Sequence, residues 1–286
     1  MPLLAQALAE FDLPAAPQRV EELPPPIAVA QLRRIQAPAG RFLLLWSDAA
    51  LGVAFETTLF ELLAEARYPA PRPRRARDGS MIARLAGGGR SPAAACYPWP
   101  AGEPLEPPAA GLPQLMEVGR LLARLHQLGE AHPVSVADPS DAAGLLAALP
   151  ANAPAELRGV LMVGLPPLPS GALHGGLRPS RALFIGARCG AVMPSGAACS
   201  GPLVLDLADA CVGWLAGAAK PAAAVRALVA GYQSMRRLLP EEARAMFAAL
   251  QFAAAREGAR RGGSLDALQA VDAVGEAEVR SATGAA

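Results

Sequence analysis

Apolar side chains recur with the period of an α-helix in several segments of the chain. The clearest segment is 114–128, where leucines and a valine fall on one face of the predicted helix. The segment 53–67 shows the same spacing, and Pro221 and Pro240 stand where two further helices would begin. Helices are therefore predicted over residues 53–67, 114–128, 141–149, 155–163, 219–235 and 240–260.

Shorter apolar runs that are bounded by turn residues predict strands. Residues 27–36 and 41–47 are two such runs, and the Ala-Pro-Ala-Gly turn between them predicts a β-hairpin. Two more short strands are predicted around 81–85 and 93–97. Residues 171–206 are expected to form further short strands and turns.

A stretch rich in proline and glycine, 98–113, divides the predicted elements into two groups. Residues 1–100 form the first lobe, with a short N-terminal helix, the early strands and one longer helix. Residues 101–270 form a second, mainly helical lobe, and residues 271–286 are expected to be a disordered tail. This order predicts an α+β fold of two lobes, with a ligand cleft between them.

Composition excludes several classes of protein. The chain has 286 residues, of which 52% are hydrophobic, and its net charge is +1, so neither disorder of the whole chain nor nucleic-acid binding is expected. No apolar run is long enough for a transmembrane helix, and the N-terminus lacks a basic signal-peptide region. The four cysteines have no metal-ligand spacing, which favours buried, reduced thiols and a cytoplasmic location. Lys220 is the single lysine, so it is the one candidate for a phosphate-binding lysine.

Two segments carry the most informative motifs. Residues 171–184 read GALHGGLRPSRALF, and residues 203–211 read LVLDLADAC. They resemble the catalytic and metal-binding loops of the aminoglycoside/choline-type phosphotransferases, a superfamily with a protein-kinase-like fold. That family shows a pattern like HGDLxPxNVLF, followed by a strand that ends in IDFxxA.

Other segments resemble the bacterial homoserine kinases of this fold, and the likeness covers roughly residues 10–260. The resemblance implies a two-lobed α+β fold, with an antiparallel sheet in the N-lobe and a mainly helical C-lobe. It also implies ATP- and Mg²⁺-dependent phosphorylation of a small-molecule hydroxyl, with homoserine as the acceptor. The additional matching segments are 42–48, 62–88, 118–126 and 230–245.

The resemblance has gaps where the chemistry should lie. The family's aspartate beside the substrate hydroxyl is replaced by Gly176, which has no side chain to accept a proton. The family's metal-holding asparagine is replaced by Arg181, a cation that would repel Mg²⁺. His174 is retained, and the resemblance implies that it orients the loop. Asp206, interpreted as following a strand at 203–205, is retained as the metal-binding aspartate.

The nucleotide-binding residues are not identified by the sequence. Residues 27–32, which resemble the subgroup's phosphate-side loop, contain no glycine and almost no polar group. Side chains there would hinder the close approach of a phosphate to the backbone. Leu45 occupies the inward position at which many kinase-like enzymes place a lysine or arginine. These residues argue against tight binding of ATP and Mg²⁺.

Three functions are compatible with these residues. The first is a degenerate homoserine-kinase-like protein, a pseudokinase that keeps the fold as a binding scaffold. Loss of a base commonly slows a reaction by about 10²–10⁴-fold, and the lost metal and phosphate ligands together with it leave little activity. The second is an active small-molecule kinase with an atypical site. The third is a regulatory protein that binds a partner and no nucleotide. The expected partner is a small molecule or a protein, and not a nucleic acid or a membrane.

Four other features have simpler interpretations. Asp209 is expected to be a surface carboxylate, and His126 a histidine at the edge of an apolar helix face. The arginines between 72 and 77 are expected to be a solvated strand face, with a surface for an acidic partner as the alternative. Residues 186–201 are expected to be a disordered excursion.

Overall fold

The computed structural model describes residues 3–23, 30–86, 91–105, 110–138, 142–215 and 218–285. The first part of these residues forms an antiparallel sheet in the order β1-β2-β3-β5-β4, with two helices. Its elements are α1 (Leu3–Glu10), β1 (Arg19–Leu23), β2 (Gln31–Ala37), β3 (Gly40–Ser47), α2 (Ala50–Glu65), β4 (Ala83–Arg84) and β5 (Ala93–Pro98).

The central strand β3 is buried on both sides. Leu43 and Leu45 belong to the large core that includes α2 and the second lobe. Leu44 and Trp46 belong to a smaller core on the opposite face, which α1 covers. Successive side chains of a strand point to opposite faces, so a strand buried on both faces needs an unbroken apolar run. The sequence FLLLW supplies that run.

The second part is mainly helical, and it includes two small antiparallel sheets. The sheets are β6-β8-β9 and β10-β7. Its elements are β6 (Glu103–Pro104), α3 (Leu112–Gly129), α4 (Ala142–Ala148), α5 (Ala155–Val163), β7 (Ser170–Leu173), β8 (Ala182–Ile185), β9 (Arg188–Val192), β10 (Cys199–Pro202), α6 (Leu203–Leu215), α7 (Pro221–Gln233), α8 (Pro240–Arg260), α9 (Asp266–Val274) and α10 (Glu276–Thr283).

Two glycines let α3 and α7 approach each other at backbone distance. A Cβ atom at Gly119 would lie 2.0 Å from the carbonyl oxygen of Leu228, and one at Gly231 would lie 2.0 Å from that of Met116. No side chain larger than hydrogen fits at either position. The close contact fixes α3, which carries His126, relative to the rest of the second lobe.

Much of the predicted organisation is confirmed. The β-hairpin is formed by β2 and β3, and each predicted helix lies within a few residues of an observed one. The antiparallel first lobe and mainly helical second lobe are the predicted α+β fold. Residues 27–29 of the predicted phosphate-side loop lie outside the described residues. The lobe boundary at residue 100 stays a prediction. Across the described ranges, no helix combines the length and the apolar character of a membrane span.

Three expectations are wrong. Residues 186–201 are not a disordered excursion, because half of them lie in β9 and β10. Residues 203–205 are not a strand but the first turn of α6, since a short apolar run does not distinguish a strand from a buried helix. The tail 271–286 is not disordered over its described part. It holds the end of α9 and all of α10, whose Val279 is buried.

Two strands, β1 and β6, were not predicted. The five residues of β1, RVEEL, contain only two apolar side chains. Its partner β2 fixes the register, in which Glu21 lies opposite Arg34 and their side chains form an ion pair. An edge strand of this kind owes its place to cross-strand pairing rather than to an apolar pattern.

Candidate functional site

The segment that follows β7 begins with a deeply buried histidine. His174 is 0% exposed, and its Nε2 donates to the main-chain oxygen of Met193 at 2.9 Å. Burial lowers the pKa of His174, so the ring is neutral at physiological pH. The next residue, Gly175, has a φ of 75°, and a Cβ there would lie 2.2 Å from the main-chain oxygen of Ala197. His174 therefore ties this loop to the segment after β9, as expected of a residue that orients the loop.

Asp206 holds the same loop from the other side. Its carboxylate is fully buried and accepts hydrogen bonds from the main-chain N–H of His174 at 2.7 Å and of Gly175 at 3.0 Å. The Nε2 of His126 donates to it at 3.0 Å. Burial acts to raise the pKa of Asp206, but the hydrogen bond and charge of His126 outweigh it and lower the pKa. Both oxygens of the carboxylate therefore accept hydrogen bonds from the loop and from α3. Asp206 lies in the first turn of α6, so the prediction that it follows a strand is wrong.

The chain of hydrogen bonds continues through the second lobe. The Tyr232 hydroxyl and Nδ1 of His126 are hydrogen-bonded at 2.8 Å, and Arg236 donates to the same hydroxyl at 3.2 Å. Arg236 also pairs with the buried carboxylate of Glu242. His126 is 1% exposed and lies inside the core, where it links α3 to Asp206 and α7. The sequence predicted His126 at the edge of an apolar helix face, and it did not predict the two buried hydrogen bonds that His126 forms.

The strand that ends beside the loop is β9, and the residues after it match the IDFxxA spacing. Met193 and Ala198 stand at the first and last positions of that pattern, and Pro194 stands where the family has aspartate. The bond from His174 to Met193 places this segment next to the catalytic loop. Proline has no oxygen in its side chain and cannot ligate a metal. Pro194 was missed because the LDLADA sequence of α6 resembles the same motif more closely.

Arg181 is buried at the position of the family's asparagine. It lies in a 3₁₀ turn before β8, and its side chain is among the largest that are fully buried. Burial lowers the pKa of Arg181 to about 10, while the nearby charge of Glu56 acts to raise it. Arg181 is therefore cationic at neutral pH and brings a fixed positive charge to a place where a metal ion would need an oxygen ligand.

Glu56 is the charged residue that the sequence did not identify. It lies on α2, is 1% exposed, and accepts from the main-chain N–H groups of Ser195 at 2.7 Å and Gly196 at 2.9 Å. The Ser195 hydroxyl also donates to it. Burial raises the pKa of Glu56, and these hydrogen bonds and the charge of Arg181 act to lower it. A glutamate within the apolar run VAFETTLF was the available signal.

Apolar side chains from the sheet close over this segment. A Cβ at Gly196 would lie 2.9 Å from Leu32 Cδ1, 3.1 Å from Ala30 Cβ and 3.4 Å from Leu45 Cδ1. Strands β2 and β3 therefore contact the segment directly. Ala30 and Leu32 belong to the predicted phosphate-side loop, and both bring apolar side chains to this contact.

The same face of the sheet carries charged pairs farther along β2 and β3. Arg34 pairs with Glu21, and its guanidinium lies 5.2 Å from the ring centre of Trp99. Arg41 pairs with Glu103 in β6. These residues line a cavity of about 290 Å³. A second, largely apolar cavity of about 460 Å³ lies between the first turn of α2 and residues 196–199.

The remaining predicted residues lie elsewhere. Asp209 is not a surface carboxylate, because it is 1% exposed and pairs with Arg256 at 2.8 Å. Burial outweighs that arginine and raises the pKa of Asp209 to about 6. Lys220 is exposed at the N-cap of α7. Among the described residues, no group of three or more histidines, cysteines or acids is placed to hold a metal ion.

The arginines between 72 and 77 each have a contact within the chain. Arg72 pairs with Glu61, Arg77 pairs with Asp12, and Arg75 donates to a main-chain oxygen. Arg74 lies over the ring of Phe42. All four arginines therefore have partners within the chain, which favours a solvated face over a surface for an acidic partner.

Comparison with known sequences identifies one informative relative. No family model matches the chain. A homoserine kinase from Gluconacetobacter diazotrophicus is 32% identical over 206 residues, which are 66% of this chain and 62% of that protein. The alignment thus spans less than two thirds of the relative's length.

Comparison with solved structures identifies the fold. An amicoumacin kinase in complex with AMP-PNP, Ca²⁺ and its antibiotic gives a TM-score of 0.68 at 12% identity, over 94% of this chain and 90% of that one. A microcompartment-associated aminopropanol kinase gives 0.65 at 16% identity, over 97% and 94%. An aminoglycoside phosphotransferase from Alicyclobacillus acidocaldarius gives 0.63 at 16% identity, over 99% and 95%.

The predicted resemblance to a homoserine kinase is thereby confirmed in sequence. The predicted α+β fold of two lobes is confirmed by the structural neighbours and by the observed elements. The chain therefore resembles a homoserine kinase in sequence over these 206 residues, and it has the two-lobed, protein-kinase-like fold of the solved phosphotransferases.

Proposed function

We propose that this chain is a pseudokinase, in which the homoserine-kinase-like fold is retained for binding and phosphoryl transfer is strongly impaired. The observation that supports this proposal is the joint replacement of three polar positions by Gly176, Arg181 and Pro194. They lie on the catalytic loop, on the turn after it and on the segment after β9, all of which His174 and its neighbours bring together.

Each replacement removes a different requirement of phosphoryl transfer. The reaction needs the phosphates positioned, metal ions to spread the developing charge, and a group that accepts the hydroxyl proton. Gly176 cannot accept a proton, and its φ of 131° is one that residues with a side chain rarely adopt. Loss of a base alone costs about 10²–10⁴-fold in rate. The loss of metal ligands adds to this, although such effects are not simply additive.

The described residues do not fit the Mg²⁺ ions that the family's reaction uses. Magnesium prefers oxygen ligands, with carboxylates foremost. Arg181 brings a positive charge, Pro194 offers no side-chain oxygen, and both oxygens of Asp206 accept hydrogen bonds from the protein. The apolar contact of Leu32 and Leu45 with Gly196 likewise gives the phosphates no polar partner.

An active kinase with an atypical site is the second candidate. Its support is the loop itself, which is held on both sides by His174 and Asp206 as a working loop would have to be. A regulatory protein that binds a partner without nucleotide is the third candidate. The arginines between 72 and 77 give this candidate little support, because they already have contacts within the chain.

An assay of ADP release separates the first two candidates. The purified full chain is incubated with ATP, homoserine and either Mg²⁺ or Mn²⁺, with the relative from Gluconacetobacter diazotrophicus as a parallel sample. We expect no turnover above the rate without protein. Robust turnover that is lost in Arg181→Ala or Asp206→Ala would contradict the proposal and support the atypical kinase.

A binding measurement separates the pseudokinase from the third candidate. A ligand that binds only the native state raises its melting temperature, so ATP is titrated with and without Mg²⁺. A nucleotide-binding pseudokinase gives a saturable rise that Mg²⁺ does not enhance, and a partner-only protein gives none. A cytoplasmic location and a small-molecule or protein partner, with no nucleic acid and no membrane, remain part of this proposal.

A further inference from the structure

Three arginines share one carboxylate next to the catalytic loop. Arg178 and Arg260 both donate to Oε2 of Glu257, and Arg261 donates to Oε1 at 2.6 Å. Glu257 lies on α8 and its side chain is 7% exposed. In the described part of the chain, no other carboxylate forms an ion pair with these three arginines. The cluster therefore holds more positive than negative charge.

Several donors of this cluster have no acceptor. Nε and Nη2 of Arg178 and Nη2 of Arg260 are buried without a hydrogen-bond partner. A guanidinium N–H that is removed from water and left without an acceptor is unfavourable. The side chains still reach the surface, because Arg178 is 14% and Arg261 is 53% exposed. An anionic group that entered here would meet donors that the protein itself does not satisfy.

The position of the cluster connects it to the proposed binding site. Arg178 follows Gly176 by two residues, and its main-chain N–H donates to the oxygen of Gly176 at 2.9 Å. Asp209 is a second acidic group whose charge interacts with Arg178, but Arg256 pairs with Asp209 at 2.8 Å and also with Asp138. The negative charge of Asp209 is thus already compensated.

We propose that Arg178, Arg260 and Arg261 bind the oxyanion of a small ligand, a carboxylate or a phosphate, beside Gly176. Arginine suits this role because its planar fork of donors matches the two oxygens of either group. The proposal names the ligand class for the scaffold function and so rests on it. Glu257 then has two roles, since it keeps the arginines in place and competes with the incoming anion for their donors.

The test is an anion titration of the purified full chain without nucleotide. Potassium phosphate and sodium malonate are each titrated at constant ionic strength, with sodium chloride as the reference, and binding is followed by calorimetry and thermal unfolding. We expect one of the two anions to saturate, and which one does distinguishes the phosphate from the carboxylate. Arg178→Gln should weaken its apparent Kd by about 10- to 100-fold, since a charged hydrogen bond is lost.

Two further variants separate binding from folding. Arg261 is half-exposed, so the Arg261→Gln variant should fold normally and still bind the anion more weakly. Glu257→Gln removes the competing charge and should tighten the apparent Kd at least about threefold. Arg226→Gln, which breaks an exposed ion pair with Glu278 on α10, is the matched control and should leave the Kd unchanged.

Two results would overturn the inference. One is the absence of a saturable response to either anion, and the other is an equal response in the parent chain, Arg178→Gln and Arg261→Gln. Because the titration contains no nucleotide and no acceptor alcohol, its failure leaves the turnover test of the pseudokinase proposal untouched. Conversely, measurable kinase activity would not remove an anion response that depends on Arg178.

Discussion

Arg181 and Glu56 are buried side chains of opposite charge, and the charge of each affects the pKa of the other. A buried carboxylate is costly unless a positive charge or hydrogen bonds compensate it. Glu56 receives main-chain N–H groups from Ser195 and Gly196, and the charge of Arg181 acts in the same direction on its pKa. The guanidinium of Arg181 thus supplies part of the compensation that the buried carboxylate of Glu56 needs.

His174 provides a pH-dependent prediction at this scale. Its folded pKa is lowered by burial from the ordinary value of 6.5, so the folded state binds fewer protons than the unfolded state. Its contribution to stability is therefore fully present above pH 6.5 and declines as the pH falls below it. The loss amounts to about 1.4 kcal/mol for each unit by which the pKa is lowered.

The measurement is urea unfolding of the parent chain and of His174→Gln across this pH range. We expect the free energy of unfolding to fall more steeply on acidification in the parent chain than in the variant. Equal slopes for the parent chain and His174→Gln would show that His174 does not carry the effect.

At the scale of helices and strands, the sequence predicted those elements that have a clear local pattern of apolar and turn residues. Helices α3 and α5 and the β2–β3 hairpin follow from apolar period and turn residues, and they were predicted closely. The strand β1 and the helix α10 depend on partners distant in sequence, which no local pattern shows. The start of α6 illustrates a third cause, because its apolar first turn suits a strand equally well.

The contact between α3 and α7 gives a prediction for the elements. Gly231→Ala places a Cβ 2.0 Å from the carbonyl oxygen of Met116 and forces the helices apart. We expect the free energy of unfolding to fall by at least about 2 kcal/mol. Gly159→Ala is the matched control, because nothing lies within 4 Å of its Cβ on α5, and alanine there should stabilise by up to about 1 kcal/mol. Urea unfolding of both variants checks the pair, and equal effects would refute the close contact.

The docking of α10 gives a second prediction at the same scale. Val279 is 1% exposed and anchors a helix whose other residues are mostly polar. Val279→Ala should lower the free energy of unfolding by about 1–2 kcal/mol, because buried methyl groups are lost. Glu278→Gln on the same helix breaks only an exposed ion pair with Arg226 and should change it by less than about 1 kcal/mol. A silent Val279→Ala would mean that the tail is undocked in solution, as the sequence alone had suggested.

At the scale of the whole molecule, fold and chemistry were predictable to different degrees. The motif around His174 identified the superfamily, and the losses at Gly176 and Arg181 could be read from it directly. The third loss could not, because the assignment of Asp206 as the metal residue required a strand that the chain does not form. Only the path of β9 past the catalytic loop shows that Pro194 stands at that position. The buried role of Glu56 likewise depends on the packing of one lobe against the other.

The proposed replacement of two metal ligands by Arg181 and Pro194 gives a prediction about how the whole molecule responds to Mg²⁺. Arg181→Asn and Pro194→Asp together remove the internal cation and supply an amide oxygen and a carboxylate, which are ligands that Mg²⁺ accepts. Glu56 then loses its compensating charge, so the double variant should be less stable than the parent chain in the absence of metal. Because Mg²⁺ would bind only the native state, it should raise the melting temperature of the double variant and leave the parent unchanged.

The control for this experiment keeps size and polarity but not charge. Arg181→Asn with Pro194→Asn offers amide oxygens alone, and we expect little response to Mg²⁺ from it. Gly176 is left unchanged in both variants, because its φ of 131° would strain an aspartate and confuse loss of fold with loss of ligand. A parent chain that is itself stabilised by Mg²⁺ would show that a metal site survives despite Arg181. A folded double variant without any response would show that the segment after β9 does not face the position of residue 181.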